Sequence, residues 1–272
     1  MRFDVTHTTR FTFAEPCGYS IHQCRLTPRV GQTQRLLNWE IRTPGKGRDW
    51  TDGYGNMVRS FSLVEPHDTI EISARGVFEW VEGGPPYLAF GEAEALPPVY
   101  WLRNHGLAAH EATIETFVDD LRPRAADSAD RMDLLHALVQ RIAGRMEYRV
   151  GATTVEASAA EALARGAGVS QDFAHLFVAC CRALGIPARY ASGCVNKDKL
   201  AHVSRLGHAW AEVHVSDLGW VGFDPANGVR ATGEYLKLGI GLDYAEAAPV
   251  TGRRFGGGEA AMEVDVSVDR IG

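Results

Sequence analysis

Residues 208–224 read His-Ala-Trp-Ala-Glu-Val-His-Val-Ser-Asp-Leu-Gly-Trp-Val-Gly-Phe-Asp, and no other segment constrains the fold of this 272-residue chain as strongly. Alternation over 208–215 places His208, Trp210, Glu212 and His214 on one strand face and Ala209, Ala211, Val213 and Val215 on the other. Ser216-Asp-Leu-Gly219 is a short turn, and Trp220 to Asp224 a second strand, so an antiparallel hairpin is expected. The small apolar face belongs to a core. The face with four functional side chains is expected to border a cleft or solvent.

A helix should precede that hairpin. Phe173, Leu176, Phe177, Cys180 and Leu184 recur at helical spacing, and Gly185 and Pro187 stop the run before a strand at Ala188–Val195. Two earlier helices are expected. One starts at Ser128 with an apolar face of Met132, Leu134, Leu135, Leu138, Val139 and Ile142, and the other covers Ser158–Arg165. Residues 1–80 are different. Phe3 and Val5, Phe11 and Phe13, the run Met57–Leu63, and Ile70, Ile72 and Ala74 alternate as half-buried strands do, with turn chemistry at Trp50–Asn56. They predict a small antiparallel sandwich. Gly83-Gly-Pro-Pro86 and Leu96-Pro-Pro98 bracket a linker, and Met262, Val264, Val266 and Val268 form a closing strand. The expected fold is α+β, with a β-rich domain over 1–82 and a helix-and-antiparallel-sheet domain over 83–272 that the C-terminal strand completes.

A formal charge of -6 with scattered basic residues argues against nucleic acid as a partner. Five cysteines without regular spacing do not make a disulfide framework, which points to a reducing compartment. The N-terminus carries no apolar run of signal-peptide length, and no stretch reaches membrane-span length. A soluble cytoplasmic protein is expected, with no membrane partner.

Ser170 stands where the Phe173–Leu184 helix begins, His208 follows 38 residues later and Asp224 16 residues after that. A helix N-terminus offers free N–H groups and a positive end, which favour a nucleophile's negative charge. Serine is also a good N-cap, so Ser170 has two readings. The hairpin returns Asp224 to the neighbourhood of His208, where a carboxylate would orient the imidazole, although Asp224 before Pro225 is also a common turn residue. Together the three residues take the roles of a nucleophile, base and orienting acid. His214, near the turn, reads as structural. Cys194, His202, His208 and His214 could ligate a metal, but their spacing fits no zinc signature. Trp210 and Trp220 read as sheet packing, His175 as structural, and Asp243 and Tyr244 as a loop near the cleft.

Four blocks of sequence carry a resemblance. Gly168-Val-Ser-Gln-Asp-Phe-Ala-His175, Arg182 to Gly193, His208-Ala-Trp-Ala-Glu-Val213 and Gly219-Trp-Val-Gly-Phe-Asp-Pro-Ala-Asn-Gly228 resemble the core of the bacterial transglutaminase-like superfamily. The first eighty residues resemble the β-rich N-terminal region that precedes that core in bacterial members. The resemblance implies a papain-like fold and a Cys-His-Asp triad, with Ser170 at the cysteine position, His208 at the histidine and Asp224 at the aspartate. It implies thioester-type acyl transfer from a peptide or protein amide to water or an amine, without a metal or other cofactor. Serine departs from that pattern, because a hydroxyl is far less acidic than a thiol. Three accounts of Ser170 stand: an exchanged cysteine, a natural non-catalytic peptide-binding relative, and a working serine. Reduced activity is expected of the serine form. The sequence leaves the acyl donor and the oligomeric state open.

Overall fold

The computed structural model describes residues 1–31, 34–81, 95–127, 130–196, 200–202, 207–231 and 233–272. Its helices and sheets form the expected α+β arrangement. The β-rich region opens with β1 (Arg2–Cys24), followed by β2 (Gln34–Arg42), β3 (Arg48–Thr51), β4 (Met57–Leu63) and β5 (His67–Trp80). The register of β1 against β5 shifts between Thr12 and Cys17, so β1 pairs β5 along its first half and β4 along its second. Phe3 opposes Phe78 across β1 and β5, with the rings stacked 4.9 Å apart. The turn chemistry at 50–56 closes the β3–β4 hairpin, where Asp52 Oδ1 accepts the backbone N–H groups of Tyr54 and Asn56.

The helical part contains α1 (Ala112–Val118), α2 (Arg122–Ala125), α3 (Arg131–Arg145), the short strand β6 (Glu147–Tyr148), α4 (Ala159–Arg165), the short strand β7 (Ala167–Gly168) and α5 (Ser170–Ala183). Leu134, Leu135, Leu138, Val139 and Ile142 of α3 are buried as their spacing requires. Ser128, expected to cap that helix, lies outside the described residues, as does Gly83–Pro86; Asp130 occupies the cap position. A reciprocal pair starts α4: Ser158 Oγ accepts from the Glu161 N–H, and the Glu161 carboxylate accepts from the Ser158 N–H.

The second sheet comprises β8 (Ala188–Val195), β9 (His208–Val215), β10 (Gly219–Asp224), β11 (Val229–Arg230) and β12 (Tyr235–Gly241), in the order β11-β10-β9-β8-β12. The expected hairpin is present, with Gly219 opposite Val215 and Phe223 opposite Ala211. Its apolar face does what alternation demands: Ala211, Val213, Val221 and Phe223 share one buried cluster with Phe177 and Val178 of α5. Trp101, Trp210, Trp220 and Tyr235 form a separate cluster. The β-rich region meets the second sheet at its β8–β12 edge, where Cys194, Leu236 and Leu238 join Phe3, Val5 and Ile72.

The chain ends with α6 (Tyr244–Ala247), β13 (Val250–Gly256) and β14 (Ala260–Arg270). Here the sequence expectation is corrected. β14 does not close the second sheet; it pairs with β1 from Phe3–Arg270 to Phe13–Ala260, and β13 pairs with β1 over Cys17–Cys24. Strand pairing therefore places 250–270 in the first sheet, which has seven strands. The reason is edge satisfaction. β1 is long, β5 covers only one of its edges, and an open edge of that length would leave a row of unpaired N–H and C=O groups.

Candidate active site

Ser170 begins α5 but does not cap it, since Val169 holds the cap position. The Val169 N–H donates to Asp172 Oδ2 at 2.7 Å, and the Thr153 hydroxyl donates to the same oxygen at 2.6 Å. Asp172 thus satisfies the helix start from its third position. A Cβ at Gly168 would sit 2.5 Å from that oxygen, so only glycine leaves room for the carboxylate. Burial pushes the Asp172 carboxyl above its ordinary range, against the pull of those hydrogen bonds. The consequence falls on Ser170, whose side chain lines a cleft while the neighbouring carboxylate performs the capping. The first-turn amides of Ser170 and Gln171 have no carbonyl four residues back within the helix, so this end of α5 suits a developing negative charge.

His208 opens β9 and Asp224 closes β10, and the antiparallel hairpin brings them together. His208 Nε2 lies 2.7 Å from Asp224 Oδ2, with both side chains buried. Beside an ionised carboxylate, Nε2 carries the proton of a neutral ring, and Nδ1 is left with a lone pair. Nδ1 has no hydrogen-bond partner among the described residues. Asp224 Oδ2 also accepts from the Tyr235 hydroxyl and from Asn227 Nδ2, each at 2.7 Å, while Oδ1 accepts the backbone N–H groups of Ala226 and Asn227. Burial alone would raise this carboxyl. The His208 ring, Tyr235 and Asn227 outweigh burial and hold it below the ordinary carboxylate range.

Ser170 and His208 line the same cleft, a cavity of about 280 Å³. The β-rich region supplies its far wall, with His7 and Thr9 from β1 and Val264 from β14. The cleft therefore spans both sheets.

Residues 118–225 match the transglutaminase-like superfamily, and residues 3–79 match the bacterial transglutaminase-like N-terminal region. An uncharacterized protein from Mycobacterium tuberculosis is 32% identical over 296 residues, covering 99% of this chain and 92% of its own. Another, from Mycobacterium leprae, is 28% identical over 278 residues and covers 99% of both chains. The chain belongs to the transglutaminase-like superfamily. A candidate cysteine protease from Cytophaga hutchinsonii, solved by crystallography, shares the fold with a TM-score of 0.73 at 21% identity, over 98% of this chain and 90% of its own.

Within this transglutaminase-like core, the sequence-derived residues fall into two groups. Ser170, His208 and Asp224 belong to one neighbourhood. The possible metal ligands do not converge: Cys194 is in the apolar interface between the sheets, His202 stacks on Tyr148 at 4.5 Å, and His214 packs edge-on to Trp220. Among the described residues no group of three His, Cys, Asp or Glu side chains could hold a metal ion. His175 is wholly buried and accepts the Tyr244 N–H at Nε2, which holds Tyr244 at the cleft.

The strand face carrying His208 is corrected. Next to His208 it is closed off, because Trp210 and Glu212 are fully buried, while His214 at its far end is half-buried. Glu212 is tolerated there by two cations, with Oε2 accepting from Arg189 Nε at 2.8 Å and Oε1 from Lys237 Nζ at 2.6 Å. Sequence reasoning missed Asp172, Tyr235 and Asn227. Asp172 carries a legible signal, an acidic residue three positions after the residue that precedes the helix. Tyr235 carries none, since it reaches Asp224 from a strand that local patterning does not disclose.

Proposed function

We propose that this cleft is built for transglutaminase-like amide chemistry, in which an acyl group passes from a peptide or protein amide to water or an amine. Ser170 stands at the nucleophile position, His208 is the base and Asp224 orients it. One observation carries the reading: His208 is tied to Asp224 through Nε2, while its Nδ1, without a partner among the described residues, belongs to a ring on the same cleft as Ser170. In this chemistry Nδ1 takes the nucleophile's proton as its oxygen or sulfur attacks the carbonyl carbon. The tetrahedral oxyanion develops at the α5 N-terminus, where the first-turn amides have no partner within the helix. The imidazolium returns the proton to the departing amine nitrogen, which leaves an ester on serine or a thioester on cysteine. Water or a second amine then releases the acyl group.

A thiol would ionise readily at this helix start, whereas the Ser170 hydroxyl must lose its proton during attack. The serine form is therefore the impaired form. The test compares this chain with its Ser170→Cys variant on a peptide-amide library, with and without added amine. The variant should be faster by on the order of 100-fold or more, and His208→Ala should abolish that gain. Equal rates for the two forms would contradict impairment by serine. Ser170 itself favours a second reading, a non-catalytic peptide-binding protein. That reading is supported if Ser170→Cys turns nothing over while both forms bind the same peptides with equal affinity.

A further inference from the structure

The cleft's far wall has a pattern that the chemistry above does not use. On β1 the inward positions run Phe3, Val5, His7, Thr9, Phe11 and Phe13. Phe3, Val5 and Phe13 are core residues, so apolar side chains hold both ends of this face. His7 and Thr9 interrupt it, are 3% and 1% exposed, and both line the cleft. Across the ladder, Val266 opposes His7, Val264 opposes Thr9 and Met262 opposes Phe11, which puts the three β14 residues on the same side. Met262, Val264 and Val250 of β13 complete the wall.

The charge pattern narrows what such a wall accepts. Among the described residues lining the cleft there is no Asp, Glu, Lys or Arg. His7 is buried, which lowers its pKa to about 4 and leaves it a neutral ring. Its Nδ1 has no partner elsewhere among the described residues. A charged group brought against this wall would lose its hydration and find no opposite charge among the described lining residues. An apolar group would gain from the same burial.

We infer that the accessory sheet is the specificity wall of the cleft, and that the acyl donor it takes carries an uncharged, apolar side chain next to the reacting amide. The inference rests on reading the cleft as the acyl-donor site. The occupant is a peptide segment rather than a second copy of this chain, because the wall is continuous with Ser170 and His208 and lies inside a cavity of about 280 Å³, the volume of a side chain or two.

The test reads binding apart from turnover. The full chain, with Ser170 in place, is titrated calorimetrically with blocked peptide amides that differ only in the residue before the reacting amide: Leu or Phe against Lys or Glu. The Leu and Phe peptides should bind at least about 10-fold more tightly. Val264→Asp should erase that advantage and turn the preference toward the Lys peptide. Met262→Asp, at a position already 55% exposed, repeats the test where the fold tolerates a charge. Lys or Glu peptides that bind as well as the Leu peptide, or no saturable binding of any peptide, would overturn the inference. If apolar peptides bind but Ser170→Cys turns none of them over, the acyl-transfer reading fails and the wall's preference stands. If Ser170→Cys turns over charged peptides best, the inference fails and the chemistry stands.

Discussion

Asp224 accepts five hydrogen bonds, from His208, Tyr235, Asn227 and two backbone amides, more than orienting an imidazole requires. The surplus keeps a buried carboxylate ionised. Tyr235 is a positioning residue in this scheme: burial and the Asp224 charge drive its own pKa far up, so it stays a donor. Removing one hydrogen bond to a charged group costs roughly 1.5–3 kcal/mol. In the Ser170→Cys background, Tyr235→Phe should lower kcat by about 10-fold and move the acidic limb of the pH–rate profile to higher pH. The sign follows from the depressed Asp224 pKa, which rises when a donor is lost. An unmoved acidic limb would assign Tyr235 a purely packing role. Two buried histidines carry a separate pH signature. Burial lowers His7 to about 4 and, with help from Arg182, His175 to about 3. Between those values and the unfolded value of about 6.5, the unfolded chain binds more protons than the native one. Stability should therefore fall as pH drops from about 6.5 toward 4, read as a falling guanidinium midpoint. A midpoint that rises over that range would contradict the burial of these rings.

The strands of the second sheet are cross-linked by charge. Arg189 of β8, Glu212 of β9 and Lys237 of β12 are fully buried, and Glu212 sits between the two cations. Arg189 also lies 3.9 Å over the Trp220 ring. Glu212→Gln would leave two buried cations facing one neutral amide. It should destabilise the fold by about 3–5 kcal/mol, measured by chemical denaturation. A change under about 1 kcal/mol would mean that water reaches the cluster. The same cluster explains what the sequence hid. Where an element alternates or repeats on its own, as in β4, β9 and α3, local patterning locates it. β12 reads Tyr-Leu-Lys-Leu-Gly-Ile-Gly, and every residue of it is buried, so no alternation marks it. Its lysine looks exposed until Glu212 supplies a partner. Asp172 is masked differently: serine at the helix start resembles a cap and draws attention from the acidic residue two positions on, whose carboxylate takes the Val169 N–H. The β14 run was legible as a strand, but its partner was not, because strand pairing over some 260 residues leaves no local trace.

At the scale of the whole molecule, the two ends of the chain lie side by side in one sheet, and that sheet forms a wall of the cleft. The helix start, the hairpin and the accessory sheet each contribute a part, and none holds the site alone. The family and the fold agree with the transglutaminase-like reading, and serine stands at the position proposed for the nucleophile. The proposed chemistry requires that Ser170 occupy a site shaped for a thiolate. The most direct measurement is the pKa of the thiol introduced by Ser170→Cys, taken from the pH dependence of its alkylation by iodoacetamide. The five native cysteines are all buried, so the new thiol is the one read. A thiol pKa below about 7.5 is expected, rising toward about 8.5 when His208→Ala is added. A value at or above about 8.5 with His208 in place would contradict it.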